Sequence, residues 1–384
     1  MSIVVTILYI IACILLFSLA IAIHEFGHFI VALKLGLKVE AFSIGFGPVI
    51  WKKRHRGVEY RISAIPFGGY VSIPDVDPEG TKKLEGSGES MEPSRRIAPW
   101  KELLVAVAGP AMNLVLAAVL AVILSLMPGA RFGQLAAKIG EVPEGGPAAL
   151  GGMKPGDIVL AVGGNPVSNW YEMMTEIQIA GARPVVFDVE RDGERLQLTI
   201  TPQKNEKSEA YLIMAISEKN SVGASPWMAY RNPLMQLKYD SMGIFRLLKG
   251  LVSPKEMKST GAALGGPVAI AESIYRTIRH DFCDGLGFLR LLNVNLAIIN
   301  LLPIPVLDGG LILFALIALI FRRRVPEKIV SKVSVFFMWL LLGLMVLLMF
   351  RDAKRSYKIH TMKDSPTLAP SSEQSPAEKD TSVE

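Results

Sequence analysis

Cysteine and charged residues are scarce in this chain. Only 2 of its 384 residues are Cys, and 20% are charged against 51% hydrophobic. Cys13 and Cys283 are too few to hold a disulfide scaffold, and they lack the spacing of a metal-binding knuckle. So apolar a composition also excludes a soluble domain of average make-up. A net charge of +6 could indicate a nucleic-acid partner. We predict none, because the basic residues lie close to apolar runs rather than along one folded face.

The hydrophobic residues are concentrated in four runs. These are Ile3–Ile23, Leu103–Met127, Leu291–Ile320 and Val333–Phe350. Each is about as long as the ~20 residues that a helix needs to cross a bilayer. We therefore predict a polytopic α-helical membrane protein with about four transmembrane helices embedded in a lipid bilayer. The first run has neither the basic flank nor the cleavage site of a signal peptide, so we interpret it as a retained helix.

Basic residues predict the orientation of these spans. Twelve Lys and Arg residues lie between Lys34 and Lys101, and five more lie between Arg322 and Lys332. Short loops rich in Lys and Arg usually stay in the cytoplasm, so both segments are predicted to be cytoplasmic. The long segment from Gly129 to Gly285 and the C-terminal tail are then expected on the opposite side.

The first span ends in the pattern H-E-x-x-H. Its members are His24, Glu25 and His28. Four residues advance a helix by about one turn, so both imidazoles can reach one ion on the same helix face. Two His ligands and a Glu that takes a proton from the attacking water are the arrangement of zinc proteases. The alternative, a chance occurrence, is disfavoured because ionisable residues at membrane depth are costly and usually functional.

A catalytic zinc ion needs a third protein ligand. Asp308 is the best candidate, because it is a carboxylate within an otherwise apolar span. It follows Pro303 and Pro305 and precedes Gly309 and Gly310, and such helix breakers at membrane depth are tolerated where they are buried in protein or line a wet cavity. The alternative is a turn residue at a kink.

Two further segments have recognisable patterns. Val58 to Ile73 alternates like two short strands around Pro66–Gly69, and its free edge could hold an extended substrate next to Phe67, Gly68 and Gly69. An ordinary surface hairpin is the alternative. Residues 141 to 167 look like the core of a PDZ domain, which either binds a peptide as an added strand or acts as a rigid filter. Trp227 to Leu251 suits helices on the membrane surface.

The predicted organisation has nine segments. They are a first transmembrane helix at 1–33; a cytoplasmic segment at 34–102 with a membrane-level β-hairpin at 58–73; a second transmembrane helix at 103–128; an extramembrane PDZ-like α+β domain at 129–205; surface helices at 206–285; a third transmembrane segment at 286–321; a cytoplasmic loop at 322–332; a fourth transmembrane helix at 333–351; and a disordered tail at 352–384.

These motifs together resemble those of the site-2 protease family of intramembrane zinc metalloproteases, in the bacterial regulator-of-sigma-E protease branch. The resemblance rests on H-E-F-G-H in the first span, N-L-L-P-I-P-V-L-D-G-G at residues 300–310, Gly109-Pro110-x-x-Asn113 and an external domain. It implies that His24, His28 and Asp308 hold zinc, that Glu25 is the general base and that Asn300 holds the substrate main chain. We also expect Pro303, Pro305 and Asn113 near the substrate.

The resemblance has two departures. Many members have His where this chain has Leu311, and the best-known enterobacterial member has two PDZ domains where this chain shows one. Neither affects a predicted ligand, so the control of substrate entry is the property that they leave open.

The sequence therefore predicts a zinc metalloprotease of a bacterial inner membrane. Its expected substrates are transmembrane segments of single-span proteins, such as anti-sigma factors or remnant signal peptides, and its active site is expected toward the cytoplasm. One rival is a catalytically silent, membrane-anchored PDZ scaffold, which the complete set of site residues disfavours. The other is a zinc transporter, which would need polar residues along several helices rather than at one depth.

Overall fold

Four helices of the structure are long and apolar enough to cross a membrane. The computed structural model describes residues 3–76, 97–127, 137–167, 169–205, 211–217, 232–254, 257, 260, 265–280 and 282–363. Within these residues the candidate spans are Ile14–Lys34, Pro99–Leu126, Phe282–Asn300 and Glu327–Lys354. Their outward faces carry exposed large apolar side chains, such as Leu15, Val119 and Phe350. The chain is thus an integral membrane protein, as predicted.

Nine helices are present in the described residues. They are α1 (Ile3–Lys34), α2 (Pro99–Leu126), α3 (Pro147–Leu150), α4 (Trp170–Ala180), α5 (Pro233–Val252), α6 (Pro267–His280), α7 (Phe282–Asn300), α8 (Asp308–Phe321) and α9 (Glu327–Lys363).

Ten strands accompany them in the same residues. They are β1 (Ala41–His55), β2 (Val58–Ser72), β3 (Ile139–Glu141), β4 (Ile158–Val162), β5 (Asn165–Pro166), β6 (Val185–Arg191), β7 (Glu194–Ile200), β8 (Gln203–Lys204), β9 (Tyr211–Leu212) and β10 (Ile216–Ser217).

Helix α2 is the centre of the membrane part. It packs against α1 on one side and against α7 and α8 on another. The approach to α1 is close at Gly27, where an added Cβ would lie 2.3 Å from the Ala108 carbonyl oxygen. Small residues at such contacts let two helix backbones approach each other within a membrane.

The predicted third span is two helices rather than one. Helix α7 ends at Asn300, and α8 begins at Asp308. Proline residues at 303 and 305 cannot continue the helix, because proline has no backbone N–H and its ring clashes with the preceding turn. Both helices run antiparallel to α2: Leu289 of α7 packs near Leu120, and Arg324, after α8, binds Glu102 in the first turn of α2.

A long two-stranded sheet follows α1. The turn at Arg56 and Gly57, both with positive φ, connects β1 to β2. Residues 41–44 lie beside 59–62 and also beside 69–72, because irregularities in register bend both strands. The hairpin expected within 58–73 is therefore wrong: β2 is one strand, and it pairs with β1 instead of folding back on itself.

Residues 137–217 include a compact β-rich unit with its own core. Strands β5, β4, β6 and β7 form a sheet in that order, and α4 contributes Met173 and Ile177 to the same buried core as Phe187 of β6. The unit extends beyond the predicted boundary at 205. Ile213 is only 2% exposed within this core, and β10 pairs with β3, so the segment 211–217 is part of the unit.

Helix α9 also extends beyond its predicted bounds. It begins at Glu327 and continues to Lys363, so residues 352–363 are helical rather than part of an irregular tail. Asp352 is buried and accepts a hydrogen bond from the Ala269 backbone N–H at the start of α6. This contact stabilises the end of the apolar helix, and it could not be inferred from composition. Residues 364–384 of the predicted tail lie outside the described residues.

Candidate metal centre

Three predicted ligands meet in one buried cluster. His24 and His28 lie one turn apart on α1, and Asp308 is the first residue of α8. His24 Nε2 lies 3.2 Å from His28 Nε2 and 3.0 Å from Asp308 Oδ2, and His28 Nε2 lies 3.4 Å from Asp308 Oδ1. Both histidine residues are buried, at 8% and 9% exposed.

These separations suit a tetrahedral metal ion. Ligand atoms about 2.0–2.1 Å from zinc in a tetrahedron are about 3.3 Å apart, close to the three distances in the cluster. Gly109 of α2 lets both imidazoles lie against the helix backbone, because an added Cβ would lie 2.3 Å from His28 Nε2 and 2.8 Å from His24 Cε1. The donor set of two imidazoles and one carboxylate therefore fits zinc.

Hydrogen bonds on the far sides of the rings orient both histidines. His28 Nδ1 lies 2.7 Å from the Val105 carbonyl oxygen. A carbonyl can only accept, so Nδ1 carries the proton and Nε2 presents a lone pair to the cluster. Val105 itself was not predicted, and no signal in the sequence could have identified it, because any residue supplies a carbonyl.

Asn113 supports His24 rather than facing a substrate. It is fully buried, and its Nδ2 lies 3.2 Å from His24 Nδ1, on the ring side away from Nε2. Its Oδ1 is buried and has no hydrogen-bond partner within the described residues. If the amide were reversed, Oδ1 would accept from His24 Nδ1–H, and Nε2 would be left as a lone pair for a metal. The expectation that Asn113 contacts substrate does not fit this position.

Glu25 faces β2, whereas the two histidines face α2. One residue turns a helix by about 100°, so Glu25 points away from α2 and toward β2. An added Cβ at Gly69 would lie 3.4 Å from Glu25 Cγ, and the Val71 backbone N–H donates a hydrogen bond to the Glu25 carboxylate. The carboxylate therefore lies between the cluster and the strand.

The remaining predicted residues lie at the break between α7 and α8 and on β2. Asn300 is the last residue of α7, and Pro303 and Pro305 lie in the irregular segment. Gly309 and Gly310 let α8 pack closely onto that segment, since added Cβ atoms would lie 2.0 Å from the Leu302 carbonyl oxygen and 2.4 Å from Pro305 Cα. Phe67 and Gly68 lie in β2, on the strand that also contacts Glu25.

Several known proteins are similar in sequence to this chain. The sequence pattern of Peptidase family M50 matches residues 12–344. A candidate zinc metalloprotease of Campylobacter jejuni is 32% identical over 354 residues, which cover 90% of this chain and 93% of that protein. Another, of Clostridium perfringens, is 32% identical over 350 residues, which cover 90% and 98%. A third, of Synechocystis, is 32% identical and covers 87% and 92%.

We expect one zinc ion per purified chain. Replacing His24, His28 or Asp308 by Ala should remove most of it, because each supplies one of three ligands. Glu25→Gln should retain it, and so should His55→Ala, which removes an exposed histidine on β1. Elemental analysis of the purified proteins measures the outcome. Full zinc content in the Asp308→Ala protein would contradict this ligand set.

Gly109→Ala should also lower zinc content, because the new methyl group would lie against His28 Nε2. Gly343→Ala is the matched control, since nothing lies within 4 Å of an added Cβ there. Zinc content and thermal unfolding should be measured together. Zinc loss in a protein that still unfolds in one cooperative transition would show that the methyl group acts at the site, whereas unchanged zinc would contradict the close packing of Gly109 on His28.

Proposed function

This chain belongs to peptidase family M50 and is a zinc-dependent protease, and on that premise we propose that it cleaves transmembrane segments of single-span proteins inside the bilayer. The observation that carries the proposal is the position of the cluster. His24 and His28 lie on a membrane-spanning helix rather than in an extramembrane domain. Protease chemistry at this depth is of use mainly for substrates that are themselves in the membrane.

We assign a separate role to each polar side chain. His24, His28 and Asp308 would hold zinc, which when bound supplies a Lewis acid that polarises the scissile carbonyl and acidifies water. The Glu25 carboxylate accepts the proton of the attacking water and later donates it to the leaving amide nitrogen. The Val71 N–H orients this carboxylate between the cluster and the strand.

The substrate must be extended before it is cut. In a helix every peptide N–H and C=O is hydrogen-bonded within the segment, which keeps the carbonyl away from a nucleophile. Residues 69–72 pair with 41–44 along one edge, and their other side lies next to α1 at Glu25. We propose that an unwound substrate adds to this edge near Phe67, Gly68 and Gly69 by β-augmentation. Asn300, Pro303 and Pro305 would contact its other side.

We also propose the cellular setting. The basic loops support an active site toward the cytoplasm, with residues 137–217 on the opposite side of a bacterial inner membrane. That β-rich unit would be PDZ-like and would act as a steric filter in regulated intramembrane proteolysis, for example of anti-sigma factors or remnant signal peptides. The ion pair of Arg246 on α5 with Glu176 on α4, at 2.6 Å, supports a fixed position for the filter.

Glu25→Gln tests the chemistry. Cleavage of single-span reporter proteins in proteoliposomes should fall by about 10²-fold or more, because a positioned general base contributes about that factor. Glu327→Gln, which alters an exposed carboxylate at the start of α9, should cleave normally. A Glu25→Gln protein that retains zinc and cleaves at the normal rate would exclude Glu25 as the base.

Replacing residues 137–217 by a flexible linker tests whether the β-rich unit acts as a filter. We expect cleavage of a full-length substrate that the intact protein rejects, with little change in the rate on a substrate lacking its bulky outer domain, since exclusion is steric. Arg246→Gln in the intact chain controls for the lost ion pair. If the deletion leaves the full-length substrate uncut while the trimmed one is still cleaved, selection does not depend on this unit.

A further inference from the structure

The segment Val49–Trp51 of β1, at one edge of the β1–β2 sheet, is apolar on both faces. Val49, Ile50 and Trp51 are 45%, 72% and 49% exposed. Neighbouring residues of a strand point to opposite faces, so neither face of this segment packs on a core. Phe46, Ile62 and Ile65 are also more than a third exposed and extend the same patch. An apolar patch of this extent indicates contact with a partner or a membrane.

The patch lies at membrane depth. At the end of the sheet that is farthest from Lys34, Ser18 of α1 donates a hydrogen bond to the Pro66 carbonyl oxygen. Ser18 precedes Lys34, the last residue of α1, by 16 positions, which is about 24 Å along the helix. At the end of the sheet that is nearest to Lys34, Val58 packs with Leu37 and Val39, just beyond the end of α1. The sheet thus runs alongside α1 for most of the depth of the span.

Charge changes along the same strand. The apolar residues end at Trp51, which pairs with Ile62. Four cations follow toward the end of the sheet that is nearest to Lys34, and all are exposed: Lys52, Lys53, Arg54 and Arg56. We call these four the basic edge. The nearest described acid, Glu59, is itself bound to Arg61 at 2.7 Å, so the basic edge keeps a net positive charge.

We infer that the basic edge binds the phosphate groups of anionic phospholipids while Val49–Trp51 enters the adjoining hydrocarbon. The order of residues matches a bilayer surface, with apolar side chains deep, Trp51 at the boundary and cations outermost. Each Lys or Arg near an anionic surface strengthens membrane association by about fivefold. Anionic lipid therefore fixes the depth of the sheet whose other edge contacts Glu25. The inference depends on the membrane position of α1 and not on proteolysis.

Trp51 fluorescence tests the inference in the full-length protein. The protein is placed in nanodiscs of zwitterionic lipid alone or with roughly one-third anionic lipid, and the Trp51 signal is the difference between wild type and Trp51→Phe. Lipids brominated along the acyl chain report its depth, and iodide reports exposure to water. We expect stronger bromolipid quenching and weaker iodide quenching in the anionic discs. Inorganic phosphate added to zwitterionic discs should not reproduce the shift.

Two variants identify the residues responsible. Lys52→Gln/Lys53→Gln/Arg54→Gln/Arg56→Gln should abolish the difference between the two lipids. Arg322→Gln/Arg323→Gln/Lys328→Gln/Lys332→Gln removes four exposed cations from the end of α8 and the start of α9 and should leave it unchanged. Zinc content verifies that both proteins are folded, and Lys52→Arg/Lys53→Arg should behave like wild type. Equal Trp51 quenching in both lipids, or a lipid dependence that survives in the first variant, would overturn the inference.

Discussion

The close approach of α1 to α2 is the contact on which the rest of the site depends. Gly27 lies against the Ala108 backbone, and Gly109 lies against the two imidazoles. Any larger side chain at Gly27 would push the helices apart, and one at Gly109 would displace the two imidazoles. The same contact brings the Val105 carbonyl and the Asn113 amide to the far sides of His28 and His24. One small-residue interface thus determines both the position of the two imidazoles and their orientation.

Several polar groups of the membrane part are paired across helices. Arg290 of α7 is 2% exposed, and it binds Asp240 of α5 at 2.7 Å and the Gln236 side chain on the same helix. Gln236 in turn donates to Ser125 of α2 at 3.3 Å. A buried charge without such partners would be strongly destabilising. Helix α5 also carries Arg246, so one amphipathic helix connects the membrane helices to the β-rich unit.

Backbone breaks serve the site in two places. The segment between α7 and α8 lets Asp308 begin a new helix beside the histidines, where a continuous helix would have placed its carboxylate according to the helical repeat alone. The irregular register of β1 and β2 lets one sheet contact Glu25 at one edge and expose an apolar, basic segment at the other. Both features place non-helical backbone at membrane depth. Such backbone is tolerated there because it packs against protein rather than lipid.

The sequence alone was sufficient to predict the class of protein. Apolar runs, H-E-x-x-H spacing and a carboxylate between helix breakers predicted a membrane-embedded zinc protease, because hydrophobic length and helical repeat are local properties. The family match confirms that class. Only the tertiary structure showed that β2 pairs with β1, that residues 211–217 complete the β-rich unit and that Asn113 supports His24. Those features depend on contacts between residues distant in the chain, and the local pattern of a strand or an amide side chain does not specify its partner.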